Sequence, residues 1–152
     1  MHEEITPQEA FQLLSESKGY CYLDVRTVEE FQAGHPVGAV NVPVVEPDIA
    51  VGGMAPNPDF LRVVQANVDR SLHVIVGCKS GGRSAMAAEM LVEAGYQKVS
   101  NMVGGFHGAP GPGGQTGWAA QSLPVAATPA DGSSYEDLRS RASGTASETP
   151  RG

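Results

Sequence analysis

The chain has 152 residues, 41% of them hydrophobic, and a formal charge of −7 at pH 7. That length fits one globular domain with residues to spare, and no apolar run approaches the roughly 18 residues a membrane span needs. The acidic balance argues against nucleic acid, whose phosphates favour basic surfaces.

The start, Met1-His2-Glu3-Glu4, lacks the basic-then-apolar order of a signal peptide, so a soluble, cytoplasmic protein with no membrane partner is expected. Thr6-Pro7-Gln8-Glu9 reads as a capping box, and Ala10, Phe11, Leu13 and Leu14 supply the apolar face of a first helix. A short strand follows over 21–25. Thr27-Val28-Glu29-Glu30 repeats the capping pattern and opens a brief helix that Gly34 stops. Residues 39–42 read as a strand, and 44–56, with Pro47, Gly52, Gly53 and Pro56, as irregular. Asn57-Pro58 begins a helix carrying Phe60, Leu61, Val63, Val64 and Val68 at helical spacing. His73-Val74-Ile75-Val76-Gly77 has the composition of a buried central strand. A helix is expected over 84–94 and a last strand over 98–102.

Beyond Gly104 the composition changes. Residues 107–117 are a Gly/Pro-rich insertion, expected to be mobile, and Trp118 returns the chain to the core as a partly buried residue. The domain is expected over 1–125 and a polar tail over 126–152, with a short helix at 134–142 docking through Tyr135 and Leu138 and a disordered end. Alternating strands and helices give an α/β domain with a mostly parallel sheet.

Two cysteines, Cys21 and Cys78, are too few for a disulfide framework, and no Cys-x-x-Cys or Cys/His cluster points to a metal. Cys21 lies inside a strand between two tyrosines and reads as core filler. Cys78 is different. It sits between a strand and a helix in Cys78-Lys79-Ser80-Gly81-Gly82-Arg83-Ser84. The two glycines let successive N–H groups converge on one concavity, and the helix aims its positive end there, worth about 0.3–2 kcal/mol to an anion. Lys79 and Arg83 add two cations. A thiol so placed is expected to titrate below its free value of about 8.5 and to act as a nucleophile.

Several segments resemble the rhodanese homology domain over about residues 5–125. Leu23-Asp24-Val25-Arg26 with Glu29-Glu30-Phe31, Gly34-His35-Pro36-Val37-Gly38-Ala39-Val40-Asn41-Val42-Pro43, the Cys78–Ser84 loop, and Gly95-Tyr96 with Val103-Gly104-Gly105-Phe106 carry the likeness. The resemblance implies a central, mostly parallel sheet flanked by helices on both faces. It also implies a sulfurtransferase that takes a sulfane sulfur from thiosulfate onto Cys78 and passes it to cyanide or a thiol. No cofactor is implied, and a protein acceptor is compatible with the same chemistry. Arg83 would bind the donor's anionic end or brace the loop, with Lys79 guiding the anion. Ser80 and Ser84 would offer hydroxyls, or Ser84 would cap the helix, while Asp24 and Arg26 form a structural pair beside the loop. A phosphatase or arsenate reductase would place one residue more between cysteine and arginine than the four found here.

Overall fold

The computed structural model describes residues 2–16, 19–109 and 111–151, with side chains described up to residue 143. In chain order the elements are β1 (Glu3–Ile5), α1 (Pro7–Glu16), β2 (Tyr20–Asp24), α2 (Val28–Ala33), β3 (His35–Pro36) and β4 (Val40–Asn41). There follow β5 (Val45–Asp48), β6 (Gly53–Pro56), α3 (Phe60–Asn67), β7 (His73–Gly77), α4 (Gly82–Glu93), β8 (Lys98–Met102), β9 (Val125–Ala126) and α5 (Tyr135–Arg151).

Five strands form one parallel sheet in the order β1-β8-β7-β2-β4. Alternate residues of its strands serve opposite faces, as the two-residue period of a strand requires. Leu23, Val74, Val76 and Val99 face one core with Val63 and Val64 of α3, Ala87, Ala88 and Leu91 of α4, and Tyr135 and Leu138 of α5. Tyr22, Ile75 and Met102 face the other core with Ala10 of α1, Phe31 of α2, Phe106 and Trp118. The expected α/β architecture, with helices on both faces, is therefore the one observed. Chain direction across the sheet reverses between β7 and β2, so the loops after these strands open side by side at their carboxyl ends. That is where open α/β sheets bind ligands.

Both capping boxes form. Thr6 N–H donates to Glu9 Oε1 at 2.8 Å and Glu9 N–H to Thr6 Oγ1 at 3.1 Å, while Thr27 and Glu30 exchange the same bonds at the head of α2.

The structure departs from the sequence expectations in four places. β1, unforeseen because Glu-Glu is poor strand material, pairs with β8 at the sheet edge, Glu4 opposite Asn101. Residues 44–56 are not irregular but an antiparallel β5–β6 hairpin, with Val45 opposite Pro56 and Asp48 opposite Gly53. Trp118 is fully buried rather than partly so, its indole N–H donating to Pro124 O at 2.8 Å. Finally, α5 runs from Tyr135 to Arg151, well past residue 142.

The segment from Ser133 onward packs against α3 and the edge strand β4. Ser133 O accepts from Asn41 N–H at 3.0 Å, Tyr135 Oη accepts from Asn57 Nδ2 at 3.1 Å, and Leu138 is 1% exposed. At the base of the 107–117 insertion Ala109 N–H donates to Gln115 O at 2.9 Å.

Candidate active site

Cys78 follows β7 directly and is 1% exposed. Its sulfur accepts from Gly81 N–H at 3.1 Å and lies 3.3 Å from Ser84 Oγ. Gly81 takes φ +122°, a conformation side-chain-bearing residues avoid, and this brings its amide round to face the sulfur. α4 then begins at Gly82, so its first turn of unpaired N–H groups and its positive dipole end lie beside Cys78.

A second turn clamps the loop from outside. Phe106 N–H donates to Cys78 O at 2.7 Å and His107 N–H to Lys79 O at 2.9 Å. A trans peptide sets each N–H opposite its carbonyl, so the Lys79 and Ser80 amides are turned away from that turn. Gly105 makes the approach feasible. It sits at φ +57°, and a Cβ there would overlap the Cys78 carbonyl and come within 2.6 Å of the Lys79 carbonyl carbon.

Of the expected loop residues, Gly81 and Ser84 are bonded to the sulfur. Lys79, Ser80 and Gly82 are exposed on the outer side of the loop, and Gly81 is part-buried. Ser84 is fully buried and does not cap α4: the cap position is Gly81, and the Ser84 hydroxyl reaches Cys78 Sγ, Gly81 O and Asn101 Oδ1. Arg83 makes its side-chain hydrogen bonds to α2 rather than to the loop backbone. Its guanidinium forks onto Glu30 at 2.8 and 3.0 Å, tying the loop to α2. Asp24 and Arg26 form the expected pair. Arg26 Nε and Nη2 donate to the carboxylate at 2.7–3.2 Å, with both residues 1% exposed. Arg26 also donates to Gly34 O at 2.7 Å and lies 4.5 Å over the Phe106 ring, so it braces the clamping turn.

Three contributors escaped the sequence reading: Glu30, Asn101 and Glu4. Glu30 reads from the sequence as a cap and as part of a family motif, not as the partner of Arg83. Asn101 carried a signal, since a polar residue inside an otherwise buried strand needs a partner. Glu4, on the overlooked β1, is that partner, at 3.1 and 3.3 Å.

Electrostatics separate the groups. Burial pushes the Cys21 thiol up to about 11, which suits the part-buried filler role expected of it. Burial also raises the Tyr22 phenol, aided by Asp24, so it stays protonated. Burial alone would raise Glu30, but hydrogen bonds from Arg83 and Thr27 override it and hold the carboxyl at about 2. The folded value lies below the unpaired one of 4.5, so this stabilisation is complete above about 4.5 and lost as pH falls toward 2. Glu30→Gln is therefore expected to lower Tm at neutral pH, with the gap from wild type closing on acidification through that window. A gap that stays constant in pH-dependent melts contradicts the Arg83–Glu30 tie.

Among the described residues no group of three or more His, Cys, Asp and Glu side chains is placed to hold a metal ion. No described helix is long and apolar enough to cross a membrane.

The profile of the rhodanese-like domain matches residues 6–109. The chain belongs to the rhodanese family. It is 44% identical over 109 residues to the chloroplastic thiosulfate sulfurtransferase 16 of Arabidopsis thaliana, covering 72% of this chain and 82% of that one. It is 41% identical to the chloroplastic rhodanese-like domain-containing protein 15 of the same plant, where it spans 53% of the relative's length. Among solved rhodanese-like structures, Rv0390 from M. tuberculosis superposes with a TM-score of 0.67 at 30% identity, covering 82% of this chain and 97% of that one. The matched region contains every residue of the Cys78 loop and excludes Trp118 and α5.

Proposed function

We propose that this rhodanese-family protein is a sulfurtransferase that carries a sulfane sulfur on Cys78. The observation that supports it best is the placement of two donors, Gly81 N–H and Ser84 Oγ–H, at 3.1 and 3.3 Å from a buried sulfur at a helix N-terminus. Such donors stabilise a thiolate, and equally the terminal sulfur of a persulfide.

In the first half-reaction the Cys78 thiolate attacks the outer sulfur of thiosulfate. The donor's S–S bond breaks, sulfite leaves with the electron pair, and Cys78 holds a persulfide. In the second, cyanide or a thiolate attacks the outer persulfide sulfur, and Cys78 departs as thiolate. Electrons balance without a redox partner, and the kinetics are ping-pong. Lys79 attracts the anionic donor, while Arg83 holds the loop's shape through Glu30. Relatives named thiosulfate sulfurtransferase support the reaction class. The protein is mixed with thiosulfate, freed of small molecules and weighed intact. A mass increase of one sulfur that disappears on adding cyanide is expected, and no increase counts against the reading.

The 107–117 insertion bears on the acceptor. Gln115 packs on Gly104, next to the clamping turn, and the ring closed by Ala109 and Gln115 carries no ionisable side chain at Gly111, Pro112, Gly113 and Gly114. We assign it the role of an uncharged lip that selects acceptors. Removing 111–114 is expected to change KM among acceptors and leave the donor half-reaction alone. Constants unchanged for every acceptor reject that role.

A further inference from the structure

The Ser84 hydroxyl has three acceptors in reach: Gly81 O at 3.1 Å, Cys78 Sγ at 3.3 Å, and Asn101 Oδ1 in a short contact. It carries one proton, so the three compete for it. Asn101 is 2% exposed and turns its Nδ2 toward the Glu4 carboxylate at 3.1 and 3.3 Å. A carboxylate only accepts, so Glu4 dictates which end of the amide faces it and leaves Oδ1 directed at Ser84. Glu4 Oε2 is also met by His2 Nε2 at 2.6 Å, and His2 Nδ1 meets Glu89 of α4.

We propose that Glu4 and Asn101 are positioning residues that keep the Ser84 hydroxyl proton directed away from Cys78 in the resting protein. The inference rests on Cys78 as the nucleophile and adds a control over how strongly its anion is stabilised. While the proton points to Asn101, Ser84 offers sulfur a lone pair, which suits an S–H donor. When Cys78 becomes an anion, the hydroxyl turns to it, because a charge-assisted hydrogen bond outweighs a neutral one. The lost bond to Asn101 is subtracted from that stabilisation. No covalent bond changes, and the proton stays on Ser84 throughout. A less stabilised thiolate is the stronger nucleophile, so the arrangement favours attack over mere ionisation.

Other charged or titratable groups also face the sulfur. Tyr22 of β2 and Arg83 of α4 interact electrostatically with Cys78, Lys79 follows it in the chain, and Asp24 of β2 and Glu30 of α2 stand behind as partners of Arg26 and Arg83. None of these is altered below, so differences among the variants isolate the hydroxyl.

Asn101→Leu removes the competing acceptor. Glu4→Met removes the group that orients Asn101, at a site half exposed to solvent. Each is made with Ser84 present and in a Ser84→Ala background. Iodoacetamide labelling of Cys78 is followed across pH by peptide mass, in salt of about 0.5 M to screen the lost Glu4 charge. With Ser84 present, the pH of half-maximal labelling is expected to fall by about one unit in both variants. In the Ser84→Ala background neither substitution moves it. An unshifted profile in the Ser84-containing variants overturns the proposal, as does an equal shift in both backgrounds. Should Asn101→Leu fail to fold, Glu4→Met carries the test alone. Failure of the wild type to label at Cys78 would instead count against the nucleophile itself.

Discussion

Cys78→Ser leaves a folded protein that no longer moves sulfur. The hydroxyl is smaller than the thiol and finds the same donors, Gly81 N–H and Ser84 Oγ–H, so the loop keeps its hydrogen bonds. A serine oxygen at neutral pH is almost wholly protonated, and any oxygen–sulfur product would lack the exchange chemistry by which thiolates pass sulfur along. Turnover with thiosulfate and cyanide should fall by about 10³-fold or more, and the intact mass after thiosulfate should be unchanged. Cys21 offers no substitute, since burial keeps its thiol protonated up to about 11. A mutant that still gains sulfur and passes it on would remove Cys78 from its assigned role, with Cys21 the first residue to inspect.

Gly105→Ala is the second large effect, and it works through shape. A Cβ at this position meets the Cys78 carbonyl and the Lys79 carbonyl group, both backbone, so no side chain can swing aside to make room. The backbone at φ +57° adds its own strain to any residue but glycine. Together these cost about 2–5 kcal/mol, which lowers Tm by roughly 5–15 °C. The turn cannot back away without breaking the Phe106 and His107 hydrogen bonds that fix the loop. Cys78 alkylation should therefore slow even at temperatures where the variant is folded. A variant with wild-type Tm and wild-type alkylation rate would show that the turn does not clamp the loop.

How far the sequence carries can be judged from individual residues. α1, α2, β7 and α4 are readable because their signals are local: a capping box within four residues, an apolar run, a helix-forming stretch ended by Gly95. The Cys78 loop is readable for the same reason, since its glycines and its cysteine are neighbours. The β5–β6 hairpin is hidden because its prolines and glycines mimic a loop. β1 is hidden because three residues gain strand status only from β8, nearly a hundred positions away. Arg83 shows the limit most clearly. Its charge was legible, but its partner Glu30 lies 53 residues earlier, already explained as a cap. A side chain that serves two structures at once displays only the local one in sequence.

The docking of α5 has a consequence for how the chain is made. Residues 133–142 pack against α3, and Ser133 accepts from Asn41 N–H on the sheet's edge strand β4. On the ribosome the sheet and the Cys78 loop emerge before this segment, with apolar Val63 and Val64 of α3 less covered and that edge open to pairing. Until that segment arrives, the emerging domain holds the Cys78 loop and an open apolar face together. The segment from Ser133 into α5 thus completes a core that the elements before it leave open.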